Sequence, residues 1–289
     1  MGLSDSGSLP PSHRMSVAYS YITTGRAAVP SLPGIISVVA KGTPPPILSF
    51  PDLMVKAEAE VAIHFLCMGA EDAKAFVRSF DGRVGRLVLI SSCDVYRAYG
   101  RFIGTEPGPP DATPLDESAA TRETLYPYRS KSTDTGHLEY WYDKLEAEHI
   151  VLGAARSEYV IVRLPKVYGR GTKDELKTVY GFAHQPAWRW THGHVESVAA
   201  AIALAGFHPD AAGQVFNLGE AHTPSTGERL AGLPDRDDIE LAAEGYDFRQ
   251  DLHFDTRKVR KRLGYEDVVN EVDAMRALAS ARGCKWTLP

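Results

Sequence analysis

Leu87-Val88-Leu89-Ile90-Ser91-Ser92-Cys93-Asp94-Val95-Tyr96 decides the fold. Four apolar residues in unbroken succession read as a strand buried on both faces, which is the pattern of a parallel sheet covered by helices. The run then changes abruptly to hydroxyl and carboxyl side chains. In open α/β sheets ligands bind beyond the carboxyl ends of the strands, so this change of chemistry falls where a site belongs.

Working outward, Val61 to Cys67 (VAIHFLC) is a second apolar strand candidate, and Glu71 to Phe80 is an amphipathic helix with an acidic start. A Pro/Gly-rich loop, Gly104 to Pro114, leads to a predicted helix from His137 to Ser157. Tyr159 to Arg163 (YVIVR) is another buried strand, Val195 to Phe207 another helix and Val215 to Leu218 a last strand. This alternation predicts α/β architecture: a Rossmann-like, doubly wound parallel sheet with a small C-terminal lobe. The expected boundaries are a core over 52–170 completed by 190–219, and a substrate lobe from 171–189 and 220–289. Residues 1–51 carry Pro30, Pro33, Pro44, Pro45, Pro46 and Pro51 and read as an irregular or replaced N-terminal segment, with short strands at Val17–Thr24 and Ile35–Ala40. The tail from Asp255 to Ala281 reads as helical, with a basic run from Arg257 to Arg262.

Bulk properties narrow the function. The 289 residues are 44% hydrophobic and 24% charged with a net charge of -5, which fits a globular chain and argues against a nucleic-acid or acidic-membrane binder. The three cysteines (Cys67, Cys93, Cys284) show no metal-like spacing, so no metal and a cytoplasmic setting are expected.

Within the predicted 137–157 helix, Tyr140 and Lys144 stand four apart and would share a face. Bringing a phenol from about 10 to about 7 requires about 4 kcal/mol, and an ammonium about 4 Å away supplies that order at an effective dielectric of about 20. Tyr142 lies two residues from Lys144 and would point about 160° away on a continuous helix, which selects Tyr140 over Tyr142.

Taken in order, Ser91-Ser92-Cys93-Asp94-Val95-Tyr96, Tyr140…Lys144 and Arg163-Leu164-Pro165-Lys166-Val167-Tyr168-Gly169-Arg170-Gly171 resemble the extended short-chain dehydrogenase/reductases of the NAD-dependent epimerase/dehydratase family. His194 to Ala199, Phe216 to Gly219 and Asp255 to Tyr265 are similar to further family elements. The resemblance implies NAD or NADP as cofactor and a nucleotide-sugar or similar hydroxyl/carbonyl compound as small-molecule substrate. It assigns Ser92, Tyr140 and Lys144 to catalysis, and His64, Cys67, Met68, Ser91, Lys144, Pro165 and Val167 to the cofactor. Asp94 and His194 fall to the substrate, and a homodimer is the implied assembly; Arg170 and Arg189 read either as holders of an anionic substrate group or as surface cations. Asp94 stands where the family's dehydratases carry a glutamate base, but Cys93 replaces the neighbouring acid, so a dehydratase is not favoured. The family's opening G-x-x-G-x-x-G turn, which cradles the pyrophosphate, is missing: Gly25, Gly34 and Gly42 lack the spacing. An alternative therefore stays open, a non-catalytic relative that keeps the scaffold as a binding or regulatory protein.

Overall fold

The computed structural model describes residues 17–23, 35–41, 46–56, 58–131, 134–135, 137–154, 156–172, 176–235, 239–241 and 245–280. Residues 1–16, Gly25, Gly34, Gly42 and Ala281 onward lie outside the described residues.

Two strands, β1 (Val17–Thr23) and β2 (Ile35–Lys41), pair in parallel as a sheet of their own. Then follow α1 (Asp52–Val55), β3 (Val61–His64), α2 (Ala70–Phe80), β4 (Arg86–Ser92) and α3 (Arg97–Phe102). Further along are α4 (Leu138–Trp141), α5 (Lys144–Leu152), β5 (Glu158–Leu164), β6 (Lys166–Tyr168) and α6 (Lys177–Gly181). The remainder is β7 (His192–His194), α7 (Val195–Phe207), β8 (Gln214–Asn217), α8 (Thr226–Leu230), α9 (Arg257–Leu263) and α10 (Glu271–Ser280).

The main sheet runs β3-β4-β5-β8, all parallel, with Leu87 opposite Tyr159 and Ile161 opposite Val215. Alternation along β4 and β5 sorts the core. Leu87, Leu89 and Ile161 pack under α2 and α5 with Phe76, Ala147 and Val151. Val88, Ile90, Val160 and Val162 pack against α7 and α9 with Val198, Ala201, Ile202 and Val259. Both faces of the sheet are thus covered, as the apolar runs require. A second parallel pair, β6 with β7, sits beside it.

Buried Arg86, opening β4, donates to Gly206 O (2.9 Å) and His208 O (2.8 Å) at the carboxyl end of α7, satisfying carbonyls that the helix leaves open. Gly264, at φ 65°, ends α9 in the left-handed conformation that glycine adopts at low cost, so the predicted tail helix is two helices.

The predicted 137–157 helix is also two. Tyr142 (φ -69°, ψ 116°) and Asp143 (φ -154°, ψ 99°) are extended between α4 and α5. The cause is Asp143. Its carboxylate caps α5 by accepting from Leu145 N (3.0 Å), and it also receives Arg122 Nη2 (3.1 Å) and Tyr126 N (2.6 Å). Its own amide donates to Met68 O (2.8 Å). An aspartate that finds four partners in the cap conformation outcompetes one more helical turn.

Candidate active site

The site forms where β4 ends. Ser92 closes the strand and its hydroxyl accepts from Asp94 N (3.2 Å), turning the chain through Cys93–Val95. That turn buries Asp94. Its Oδ2 accepts from Tyr142 Oη (2.7 Å) and lies 3.2 Å from Tyr128 Oη, which is itself 3.1 Å from Tyr99 Oη. Oδ1 is buried without a partner. Arg122 Nε donates to Asp94 O (2.7 Å) from behind. The Ser92 hydroxyl lies beside the Tyr142 phenol.

Lys144 opens α5 with its ammonium 6.0 Å from the centre of the Tyr142 ring. The ammonium donates to Cys67 O (2.7 Å) and Ile90 O (2.9 Å), pinning the ends of β3 and β4 together. Burial pulls its pKa down from the usual ammonium range. Burial raises Asp94, with Arg122 the largest opposing influence. Burial, then the Asp94 carboxylate, pushes the Tyr142 phenol well up. The electrostatics expected from sequence, a phenol lowered by ammonium, are therefore not those of Tyr142. It carries its proton and donates it to a carboxylate.

The broken helix overturns the face expected to be shared by Tyr140 and Lys144. On α4 the Tyr140 ring sits 4.7 Å from the Arg129 guanidinium and 4.9 Å from the Trp141 ring. It does not share a face with Lys144, because the two residues belong to different helices. The backbone extension at Tyr142 brings that side chain to Asp94 instead. The sequence carried a signal for this: Asp143-Lys144-Leu145-Glu146 fits the spacing that starts a helix, an acidic cap followed three residues later by glutamate.

Ser92, Asp94 and Lys144 are thus brought together, and Tyr142, Tyr128, Tyr99 and Arg122 join them. The other expected site residues have partners of their own. Ser91 donates to Glu148 Oε1, which forms a buried pair with Arg163 (Nη2 to Oε2, 2.7 Å), so its hydroxyl is used within the core. His64 packs edge-on to Phe50 at 5.5 Å, and burial followed by Lys144 lowers it to about 3, so it is a neutral strand residue. Cys67 is buried and its thiol is pushed up to about 12 by burial. Met68 gives its amide to Asp72 Oδ2 (3.1 Å) and its carbonyl to Asp143. Pro165 packs on Gly193, where an added Cβ would fall 2.8 Å from Pro165 Cγ, and Val167 packs on the α7 side of the core. Arg170 is exposed in the turn after β6. Arg189 is tied to Thr223 O (2.7 Å) and Glu228 (3.2 Å). His194 caps α7 and gives its amide to Glu220 Oε1 (2.9 Å). Among the described residues no His, Cys, Asp and Glu side chains gather as a metal site, and no helix is long and apolar enough to cross a membrane.

Neither a family model nor a curated protein matches this chain. Solved structures do. The Bordetella bronchiseptica enzyme WbmG, in complex with NAD, is 16% identical with a TM-score of 0.60, over 91% of this chain and 84% of that one. MoeE5, in complex with UDP-glucose and NAD, is 18% identical with a TM-score of 0.55, over 86% of each. RMD from Pseudomonas aeruginosa, complexed with NADPH, is 17% identical with a TM-score of 0.51, over 76% and 80%. A short-chain dehydrogenase/reductase superfamily protein from Agrobacterium tumefaciens is 17% identical with a TM-score of 0.50, over 76% and 78%. At such identities the likeness concerns architecture, and in architecture this chain has the Rossmann-like α/β fold of the short-chain dehydrogenase/reductases.

Proposed function

We propose that this protein is an NAD(P)-dependent oxidoreductase of the epimerase/dehydratase kind, acting on a hydroxyl or carbonyl of a nucleotide-linked sugar or a similar small molecule. The observation that carries the reading is the meeting of Tyr142, Ser92 and Asp94 at the end of β4, with Lys144 underneath. The similar folds bound to NAD, NADPH or UDP-glucose support the choice of cofactor and substrate class. The 171–189 and 220–289 segments are proposed as the substrate side.

The residues fit a nicotinamide unevenly. At the reacting end they suit it: Asp94 Oδ1 is an unused buried acceptor, and the Pro165–Val167 turn offers an apolar wall. Ser92, Lys144, Pro165 and Val167 would hold that end. At the pyrophosphate end, no described residue forms a glycine cradle, and the Met68 and Gly69 amides opening α2 are taken by Asp72 Oδ2 at 3.1 Å each. A nicotinamide held there would supply reversible hydride transfer at the carbinol carbon. Tyr142 holds the proton that the substrate oxygen exchanges, and Asp94 accepts from Tyr142 and keeps the phenol oriented. Ser92 steadies the substrate oxygen. Asp94 is buried behind half-buried Ser92 and Tyr142, which limits the access of water to the carboxylate.

A second reading, a non-catalytic relative, is favoured by the Lys144 ammonium, which is committed to two main-chain carbonyls. Fluorescence titration of the full chain with NADH and with NADPH separates the two. The oxidoreductase reading expects saturation in the range of about 1 μM to 1 mM that enzymes use for their ligands; a signal that stays linear with both nucleotides overturns it.

A further inference from the structure

Seven buried side-chain atoms among the described residues lack a hydrogen-bond partner, and four of them belong to one cluster built from elements other than those holding Ser92 and Tyr142. They are Tyr168 Oη on β6, His192 Nε2 on β7, Glu220 Oε2 after β8 and Arg229 Nη2 on α8. Short links hold these residues together. His192 Nδ1 and Arg229 Nη1 both reach Trp190 O, at 2.8 and 3.1 Å. The Tyr168 and His192 rings are 6.1 Å apart. Glu220 gives its amide to His192 O (2.9 Å) and accepts His194 N at Oε1. Arg229 Nε is paired with Glu271 Oε1 on α10 (2.8 Å). Tyr168 is wholly buried, and none of the four is more than 7% exposed.

Counting donors and acceptors defines what fits between them. Trp190 O takes the Nδ1 proton of His192, which leaves Nε2 of the neutral ring as a bare acceptor. Burial, with Arg229 beside it, keeps that ring neutral. Tyr168 and Arg229 offer O–H and N–H donors, and Glu220 offers an oxygen that has the Tyr168 phenol beside it but not in hydrogen-bond geometry. An anion would face the Glu220 oxygen and the bare His192 nitrogen; a cation would face the Arg229 guanidinium. What satisfies all four is a small neutral molecule that both donates and accepts. Buried polar groups in folded chains are nearly always hydrogen-bonded, so four open ones at one spot call for a partner.

We propose that Tyr168, His192, Glu220 and Arg229 line an internal solvent site holding about one or two water molecules, each with the 2–4 polar partners such waters have, and that this water ties the β6–β7 pair to α8 and the loop after β8. It is a site distinct from the reaction centre and does not depend on the function proposed above.

The site has a proton of its own. Glu220 faces Tyr168 from β6, the His194 amide and His192 from β7, Asp267 from the loop before α10, and Glu271, with its partner Arg229, from α10 and α8. Burial first, and Glu271 next, raise Glu220 to about 7 from an ordinary 4.5. The folded chain therefore holds a proton on Glu220 between those values that the unfolded chain releases. The stabilisation is fully present below the lower value, declines as pH rises between the two, and is gone above about 7.

A crystal structure of the full chain at a resolution that displays ordered solvent, paired with melting curves of wild type and Glu220→Gln from pH 5 to 8, tests this. Solvent density within about 3.2 Å of at least three of the four atoms is expected. The wild-type melting temperature is expected to fall by at least about 2 °C more than that of the Gln variant over that range. Density showing the four side chains paired directly with one another and no solvent between them overturns the site. Parallel melting curves overturn the proton on Glu220. Tyr168→Phe, which keeps the ring and deletes one donor, is the second variant: the solvent should lose order there, and an unchanged solvent position contradicts the assignment.

Discussion

At the scale of single residues, the site turns on which phenol faces Asp94. Tyr142 donates to it at 2.7 Å, whereas Tyr140 sits against Arg129 and Trp141. With NAD and a nucleotide sugar such as UDP-glucose as probe substrate, Tyr142→Phe is expected to lower kcat by about 10²–10⁴-fold, the contribution typical of a positioned acid or base. Tyr140→Phe is expected to leave kcat within about threefold, because the phenol oxygen it removes has no part in the proton path proposed here. Chromatography of the nucleotide-sugar product against time checks both; the reverse ranking would restore Tyr140. Ser92, Asp94 and Lys144 were legible in the sequence because they lie at a strand end and a helix start whose order is informative. Tyr128, Tyr99 and Arg122 were not, since they reach the site from a loop and a short helix with no periodicity to reveal them.

Among the elements, the decisive one is the joint between α4 and α5. Asp143 is wholly buried, caps α5 and neutralises a buried Arg122 guanidinium. Asp143→Ala should cost about 3–5 kcal/mol, mainly because it strands a buried charge, with the lost cap adding about 1 kcal/mol. Urea unfolding measures this, and a loss below about 1 kcal/mol would refute the joint as described. Gly69 is the opposing wall: a Cβ there would fall 2.5 Å from Trp141 O, so Gly69→Ala must push the 141–143 segment away. A cost of about 1–3 kcal/mol is expected, with a rise in KM where Tyr142 is displaced; an unchanged melting curve and KM would contradict it. Apolar strands such as Tyr159–Arg163 and the Val195–Phe207 helix were readable because burial on both faces or a long apolar stripe leaves few alternatives. The break at Tyr142–Asp143 left only the cap spacing of Asp143 and Glu146 as a sign, and a helical pattern of apolar residues running straight through it outweighed that sign. The cause of the break is largely tertiary: the Asp143 carboxylate accepts from Arg122 and Tyr126 and its amide donates to Met68 O, in addition to the local cap on Leu145 N. The basic run Arg257–Arg262 is likewise more than a solvated face: Lys258 reaches Val215 O and Arg260 reaches Gly219 O and Asp267.

For the whole molecule, the main sheet presents β3 as one edge, and β1 with β2 forms a separate parallel pair. The strands that carry Ser92 and lead to Pro165, with Lys144 opening α5 beside them, are covered on both faces. A pyrophosphate cradle was missing from the sequence and is not supplied by the described residues. The account therefore expects cofactor affinity to come mainly from the reacting end. Nicotinamide mononucleotide in its reduced form should then bind the full chain within about tenfold of NADH, a difference of about 1.4 kcal/mol. A gap of about a thousandfold in calorimetric titration would assign the missing affinity to the adenosine and pyrophosphate half.

The most direct measurement is a crystal structure of the full chain grown with NADH at millimolar concentration. A nicotinamide ring is expected between the Tyr142 hydroxyl and the Pro165–Val167 stretch, with Ser92 and Asp94 at its rim and Tyr140 outside contact. A ring seated against Tyr140, or no nicotinamide beside Ser92, Tyr142 and Asp94, would contradict it.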